Sequence, residues 1–227
     1  MDVVVNLDCI DQKNLSSLIY RLTKGGGHKN QAITKAVGTS NKKKLQVIDA
    51  TCGFGTDSIV LAYFNCQVYA IERHPKIATL LTKRLEQAKK HPLLATSIAN
   101  IQLFTGNCIE VIPKLIKQYQ FIPDVIYLDP MFNQKTSAAP NKFIQVLQYI
   151  ITNEPIANET IIAENHNINN FNANNLLTSI LNLPIKRIVV KRPRLAPYLE
   201  DLPANFSLIG KSNRFDVYLK ELTFKNH

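Results

Sequence analysis

The chain has 227 residues, of which 45% are hydrophobic, so it can bury a substantial core, and we expect one main domain with a small appendage. Lys and Arg total 27 against 17 Asp and Glu, and the formal net charge of +10 favours a polyanionic partner, with nucleic acid as the first candidate. For any single basic cluster, a solvated surface that only aids solubility remains an alternative. The composition argues against disorder for the bulk of the chain.

No apolar run approaches the roughly 20 residues of a membrane-spanning helix, and the first residues lack the basic start and long apolar stretch of a secretory signal. We therefore expect a cytoplasmic protein with no membrane partner. The four cysteines are far apart and form no Cys-x-x-Cys pair, which favours reduced, separate thiols over a disulfide or zinc framework. No metal is expected, and the sequence does not indicate the oligomeric state.

The first 44 residues are predicted to form an N-terminal extension that precedes a main domain at residues 45–227. Three glycines at positions 25–27 predict a hinge, and a short basic helix is expected over residues 28–37, ended by Gly38. Two interpretations of this segment are open. It is either a linker or a mobile basic element that lies over a substrate.

From residue 45 onward the pattern alternates strand, turn and helix, which is typical of a parallel sheet covered by helices. The segments that end the chain resemble an antiparallel β-hairpin. An asparagine-rich stretch at residues 165–175 is expected to be a loop. The predicted strands are residues 45–50, 67–71, 101–104, 124–128, 186–191, 206–209 and 214–222, and the predicted helices are residues 58–62, 76–90, 109–117, 142–152 and 176–181.

The first strand ends in Asp49 and leads through Gly53 and Gly55 into a helix. Glycines let a cofactor approach the backbone, and the start of a helix offers unpaired N–H groups. Alone, this turn is a weak signal, because Thr51 occupies the place of the first glycine in Asp-x-Gly-x-Gly-x-Gly. The turn also matches neither the dinucleotide fingerprint nor the phosphate-binding loop.

Glu72 strengthens the signal, because it ends the second strand 19 residues beyond Gly53, where a carboxylate can accept both hydroxyls of a ribose. The alternative is an exposed acid paired with Arg73 or Arg84. Asp57 lies just inside the helix, where the helix dipole favours an acid whatever the ligand. The turn and Glu72 together predict an adenosine-type site.

Asn107 follows the third strand, where its amide can both donate to and accept from an adenine edge. The alternative, equally weighted, is a turn residue or a cap for the helix at residues 109–117.

Asp-Pro-Met-Phe at residues 129–132 follows the fourth strand. An exocyclic amine of a nucleobase is a poor nucleophile because its lone pair is delocalised, and Asp129 Oδ with the Pro130 carbonyl are suitable acceptors for it. Stacking on Phe132, worth roughly 1–3 kcal/mol per base, would partly offset the few kcal/mol that base flipping costs. The alternative is a tight Asp-Pro turn followed by two core residues.

These motifs together resemble the class I methyltransferases that use S-adenosylmethionine (SAM), and more narrowly the ribosomal RNA small subunit methyltransferase J family, which methylates N2 of a guanine in bacterial 16S rRNA. The resemblance implies an α/β, Rossmann-like fold with a mostly parallel seven-stranded sheet and a C-terminal antiparallel hairpin. It implies 16S rRNA or the small ribosomal subunit as partner. The matching segments are residues 25–27, 31–38, 49–57, 72–73, 127–132, 189–193 and 214–218.

The resemblance and the motifs give a predicted set of site residues. Thr56 is a departure, since the family usually has arginine there. Asp129, Pro130 and Phe132 are the predicted catalytic residues. The predicted cofactor-binding residues are Asp49, Gly53, Gly55, Thr56, Asp57, Glu72, Arg73, Asn107, Cys108 and Asp129. The predicted RNA contacts are Lys29, Lys35, Lys191, Arg192, Arg194, Lys211 and Arg214.

Three alternatives remain open from the residues alone. The first is methylation of another amine, such as adenine N6 in DNA or RNA or a protein side chain. The second is a nicotinamide-dependent oxidoreductase, which the imperfect fingerprint and the Asp-Pro-Met-Phe corner disfavour. The third is a catalytically silent RNA-binding or ribosome-assembly factor on the same fold.

Overall fold

A computed structural model describes residues 7–24, 31–40, 42–130 and 175–221, with side chains described from residue 15 onward. The glycines at 25–27, the predicted helix at 142–152 and nearly all of the asparagine-rich stretch lie outside these ranges. Phe132 and Lys29 also lie outside them, so their predicted roles stay predictions.

The described residues form a seven-stranded sheet in the order β3-β2-β1-β4-β5-β7-β6. The first five strands are mutually parallel where they pair, whereas β7 runs antiparallel to both β5 and β6. This arrangement confirms the predicted mostly parallel sheet with a terminal hairpin. The strands are β1 Leu45–Asp49, β2 Cys66–Glu72, β3 Ile101–Thr105, β4 Val125–Leu128, β5 Arg187–Pro193, β6 Phe206–Ile209 and β7 Asn213–Leu219.

The helices agree with most of the predicted segments. The sequence did not predict α1, α5 or a short 3₁₀ helix at Leu199–Asp201. The helices are α1 Leu7–Lys24, α2 Ala32–Val37, α3 Thr56–Tyr63, α4 Pro75–Lys89, α5 Ala95–Ile98, α6 Cys108–Tyr119 and α7 Leu176–Leu181.

The central strands are buried on both faces, which explains why they read as continuous apolar runs. Val47 of β1 contributes to the core under α1 to α3, while the next residue, Ile48, contributes to the core under α6 and α7. Tyr127 and Ile126 of β4 divide between the same two cores. This alternation follows from the two-residue period of a strand.

Residues 31–40 are built into the first of these cores. Ile33 and Ala36 of α2 are fully buried, and Arg187 of β5 donates a hydrogen bond to the Ala36 carbonyl at 2.9 Å. Lys35 points to solvent from the same helix. The described part of the extension therefore packs as a fixed element, and the boundary at residue 44 stays a prediction.

None of the helices in the described ranges combines the length and hydropathy needed to cross a bilayer. The same ranges hold no group of three or more His, Cys, Asp or Glu residues placed to bind a metal ion.

Candidate active site

The site lies at the edge of the sheet where the parallel strands end. Asp49, Glu72 and Asp129 stand at or just beyond the carboxyl ends of β1, β2 and β4, and Lys191 lies near the end of β5. The strand order reverses between β1 and β4, and the crevice at such a switch point is the usual ligand site of an open α/β sheet. Residues scattered along the chain are therefore brought to one edge.

The two glycines after β1 have different roles. Both have left-handed backbone angles, with φ of +53° at Gly53 and +69° at Gly55. A Cβ on Gly55 would lie 2.6 Å from Leu81 Cδ1, so this glycine is needed for packing. A Cβ on Gly53 would meet nothing within 4 Å, so the backbone there borders open space that a ligand can occupy.

Glu72 is anchored to the glycine turn. Its Oε2 accepts from the Gly53 N–H at 3.0 Å and its Oε1 from the His74 N–H at 2.8 Å, and the residue is only 8% exposed. Burial raises the pKa of the carboxyl, an effect that these hydrogen bonds oppose. Glu72 is therefore a fixed acid beside the turn rather than the exposed acid of the alternative interpretation.

Arg84 of α4 binds the glycine turn through two hydrogen bonds. Its guanidinium donates to the Phe54 carbonyl at 2.7 Å and to Thr56 Oγ1 at 3.2 Å, and the residue is buried. Thr56 thus receives a hydrogen bond from an arginine in space, at the position where the family pattern usually has arginine in sequence. Arg84 therefore binds the turn, whereas the alternative interpretation from the sequence paired it with Glu72.

Asp49 lies beneath the turn rather than facing solvent. Ser58 Oγ donates to its Oδ2, while Oδ1 has no hydrogen-bond partner among the described residues. Burial, above all, raises the pKa of Asp49 to about 7, and the charges of Asp57 and Asp129 act in the same direction. The predicted cofactor contact of Asp49 stays a prediction.

Asn107 is the N-cap of α6, because its Oδ1 accepts from the Ile109 N–H at 3.1 Å. This is the capping alternative from the sequence, and it leaves the side-chain NH₂ as the group for an adenine edge. The neighbouring Cys108 is buried, and burial raises the pKa of its thiol to about 11. The Cys108 thiol is therefore neutral and packs in the core under α6 and α7, whereas Arg73, just after β2, is exposed.

The segment after β4 that begins with Asp129 and Pro130, here called the acceptor corner, is joined directly to the glycine turn. The Asp129 N–H donates to Thr51 Oγ1 at 2.7 Å, and the Asp129 side chain is 40% exposed. Pro130 is buried behind it. The sequence treated Thr51 only as a departure from a glycine motif, yet its hydroxyl fixes the backbone that follows β4.

The environment of Lys191 does not suit the contact with an RNA phosphate that was predicted for it. Its Nζ lies between two carboxylates, 2.8 Å from Asp57 Oδ2 and 2.7 Å from Asp129 Oδ2. Tyr127, fully buried, donates its hydroxyl to the same Asp57 oxygen at 2.7 Å. The Lys191 charge is thus engaged by two carboxylates of the site, which argues against the predicted phosphate contact.

The charges of Asp57 and Lys191 shift each other's pKa. Burial raises the pKa of Asp57, but the ammonium of Lys191 and the two hydrogen bonds outweigh it, so the pKa lies below its usual value. Burial lowers the pKa of Lys191, but the two carboxylates reverse that effect and raise it. Lys191 therefore stays an ammonium, and Asp57 stays ionised.

The other predicted RNA contacts also divide into engaged and exposed residues. Arg192 is 3% exposed and donates Nε to the Pro197 carbonyl at 3.2 Å, so it is not placed to reach a phosphate. Arg214 donates two hydrogen bonds to Asp216, at 2.7 and 2.9 Å. Arg194 and Lys211 are exposed and lie close together, since the Arg194 N–H donates to Ser212 O at 2.9 Å.

The strand order, the glycine turn with its fixed acid and the Asp-Pro corner define a Rossmann-like class I methyltransferase. A family model described as "Putative SAM-dependent methyltransferase" matches residues 9–220. The chain belongs to the ribosomal RNA small subunit methyltransferase J family of SAM-dependent methyltransferases, as the following relatives show.

The protein named ribosomal RNA small subunit methyltransferase J in Vibrio parahaemolyticus is 34% identical over 93% of this chain and 81% of that protein. The protein of the same name in Pseudoalteromonas atlantica is 36% identical over 89% of this chain and 73% of that protein. SAM is accordingly the cofactor of this enzyme.

Solved structures agree. The SAM-dependent methyltransferase of Neisseria gonorrhoeae has a TM-score of 0.62 and 33% identity, and the match covers 86% of this chain and 73% of that one. The rRNA methyltransferase aviRa of Streptomyces viridochromogenes has a TM-score of 0.50 at 14% identity, covers 83% of this chain and 82% of that one, and supports the fold alone.

Proposed function

We propose that this enzyme transfers the methyl group of SAM to N2 of a guanine in 16S rRNA of the small ribosomal subunit. The observation that carries the proposal is the hydrogen bond from Asp129 to Thr51, which holds an amine-accepting corner against the cofactor turn at 2.7 Å. The relatives named above carry the ribosomal RNA small subunit in their names. An rRNA substrate also fits the cytoplasmic location expected from the sequence.

The described residues fit SAM at the crevice. Glu72, held by two backbone N–H groups, has lone pairs left for ribose hydroxyls, and the open space beside Gly53 admits the cofactor close to the backbone. Asn107 is the proposed contact for the adenine edge, with Cys108 as an uncharged neighbour. When bound, SAM supplies an activated methyl group on a sulfonium, so the protein contributes position and electrostatics.

At the acceptor side, Asp129 and the Pro130 carbonyl would accept the N–H groups of the guanine amine and orient its nitrogen. Phe132 would stack on the flipped base. The same acceptors suit adenine N6, so the corner alone does not select the base. We favour guanine because the motifs resemble the J family as a set and because its members carry the ribosomal RNA small subunit in their names.

The proposed RNA surface consists of exposed basic residues. Lys211 lies in the turn that joins β6 and β7, Arg194 follows β5 and is hydrogen-bonded to that turn, and Lys35 projects from α2. The net charge of +10 supports a polyanionic substrate. Lys29 stays a predicted contact, and Arg214 serves here to fix the hairpin through Asp216.

Methyl transfer to RNA in vitro tests the proposal. Purified enzyme and SAM labelled in the methyl group are incubated with small subunits, and separately with 16S rRNA, from a strain that lacks the gene. The expected product after nucleoside digestion is labelled N2-methylguanosine, strongly reduced with Asp129→Ala. Label in N6-methyladenosine would contradict the choice of base, and RNA binding without any label would favour the assembly-factor alternative.

A further inference from the structure

We infer that Lys191 is a positioning residue for the methyl acceptor, because its ammonium fixes the Asp129 carboxylate in the orientation that receives the amine. The inference rests on the proposed function and assigns Lys191 a role that differs from a phosphate contact. Lys191 acts through Asp129 and is not itself a group that touches the reacting atoms.

The contacts of Asp129 define its orientation from two sides. Its backbone N–H is bound to Thr51 Oγ1 at 2.7 Å, and its Oδ2 lies 2.7 Å from Lys191 Nζ. Within the described part of the chain, Oδ1 makes no hydrogen bond. Lys191 thus holds Oδ2, and because the side chain is 40% exposed we assign Oδ1 as the acceptor for the amine.

Lys191 is itself held in place from the side opposite Asp129. Its second contact, at 2.8 Å, is to Asp57 Oδ2, and this oxygen also accepts the Tyr127 hydroxyl at 2.7 Å. The three residues lie on β5, α3 and β4, that is, on two strands of the sheet and one of its covering helices.

The chemistry explains why a cation is needed at this place. During transfer, the guanine nitrogen forms a bond to the methyl carbon, the electron pair of the carbon–sulfur bond stays on sulfur, and the nitrogen then loses one proton to solvent. An ionised carboxylate accepts the amine N–H, whereas a protonated one offers a competing donor. Lys191 opposes the burial that favours the protonated form of Asp129.

Among the described residues, the charged groups near Asp129 come from several neighbouring elements. Burial, together with the charge of Asp57, raises the pKa of Asp129 above its usual value, and Lys191 and, more weakly, Arg192 oppose this shift without cancelling it. Tyr127 and Asp49 lie in the same cluster. Because Lys191 is the largest opposing charge, its removal is expected to raise the pKa of Asp129 further.

Steady-state kinetics of Lys191→Met against Lys186→Met test the inference, with SAM and small subunits from a strain that lacks the gene. Lys186 is the matched control, since it is an exposed lysine just before β5. For Lys191→Met we expect kcat to fall on the order of 100-fold, the scale of a misplaced reacting group. KM for RNA should change less than about 3-fold, and the acidic limb of the kcat profile should move to higher pH. Lys191→Arg should recover part of kcat.

A phosphate contact predicts a different pattern. It would leave kcat at saturating RNA unchanged and would reduce the salt slope of RNA binding by roughly 0.7 to 0.9. That pattern would overturn the inference, as would a wild-type kcat or a loss of kcat without movement of the acidic limb. If thermal melting shows that Lys191→Met is unfolded, Lys191→Gln is measured in its place and judged by the same criteria. A wild type that transfers no label to RNA defeats the proposed function, whereas an active wild type with an equally active Lys191 variant defeats the inference alone.

Discussion

Thr51 Oγ1 accepts the backbone N–H of Asp129 at 2.7 Å, so the cofactor turn after β1 and the acceptor corner after β4 are one connected structure. The strand pairing brings them together, because Asp49 of β1 is in register with Tyr127 of β4. The Thr51 hydroxyl then joins the two segments by its hydrogen bond to Asp129. Thr51, which stands where the Asp-x-Gly-x-Gly-x-Gly motif has its first glycine, therefore has a structural role.

Replacing the Thr51 hydroxyl should loosen the acceptor corner. Thr51→Val leaves the Asp129 N–H without its acceptor, and a lost hydrogen bond of about 1 kcal/mol corresponds to roughly a fivefold to tenfold change in rate. We expect kcat to fall by about that factor, while Thr51→Ser, which keeps the hydroxyl, stays near the wild type. Methyl-transfer kinetics of the pair check this, and equal effects of the two variants would contradict the role of the hydroxyl.

The two glycines of the turn should respond differently to alanine. Gly53→Ala places a methyl group in open space at a φ of +53°, so it should cost about 1 kcal/mol of stability and yet obstruct the cofactor. Gly55→Ala adds a contact 2.6 Å from the buried Leu81, and overpacking should cost about 1–3 kcal/mol more.

Denaturant unfolding and calorimetric titration with S-adenosylhomocysteine separate these effects. We expect Gly55→Ala to lose more stability than Gly53→Ala. If both variants fold, we expect Gly53→Ala to lose more affinity for S-adenosylhomocysteine relative to its loss of stability. Cofactor affinity of Gly53→Ala equal to that of the wild type would mean that the space beside Gly53 is not the cofactor site.

Asp49 should make the free enzyme less stable as the pH rises. Its pKa is raised from 3.8 to about 7 by burial, so between these values the folded state holds a proton that the unfolded state has released. The stabilising contribution is full below about pH 4 and is lost as the pH rises through about 7. Asp49→Asn cannot ionise and should lack this loss.

Urea unfolding at pH 5 and pH 8 without cofactor measures this contribution. From pH 5 to pH 8, the wild type should lose on the order of a few kcal/mol more than Asp49→Asn. Parallel pH profiles for the two proteins would show that Asp49 is ionised in the folded state at pH 5.

The exposed basic residues should set the salt dependence of RNA binding. Arg194→Ala and Lys211→Ala should each weaken binding and reduce the slope of log affinity against log salt by roughly 0.7 to 0.9. Lys83→Ala, an exposed lysine on α4, is the control and should leave the slope unchanged. Filter binding over a salt series measures the slopes, and an equal effect of Lys83→Ala would indicate diffuse charge rather than a defined surface.

The sequence predicted the sheet well because its central strands are short apolar runs that can be recognised from local sequence, without knowing which strands they pair with. β4, for example, reads Val-Ile-Tyr-Leu and is buried throughout. α1 was missed although Leu15, Leu18, Ile19 and Leu22 have the spacing of a helix face. The signal was present, and the low overall hydrophobicity of the segment obscured it.

The site was predicted less completely, for a physical reason. Asp57 and Lys191 are 134 positions apart, and only the folded sheet places their charges 2.8 Å from each other. In sequence, Lys191 stands next to Arg192 and close to Arg194, which favours interpretation as a surface cluster. The one available signal was the two-residue period of β5, which puts Lys191 on the same face as the buried Val189.

Mass spectrometry of 16S rRNA tests the central claim most directly. Nucleosides and nuclease fragments are compared between a strain that lacks the gene, the same strain with the wild-type gene restored, and one with Asp129→Ala. The account predicts that a single N2-methylguanosine disappears from 16S rRNA without the gene, returns with the wild type and stays absent with Asp129→Ala. An unchanged N2-methylguanosine inventory in the strain that lacks the gene would contradict it.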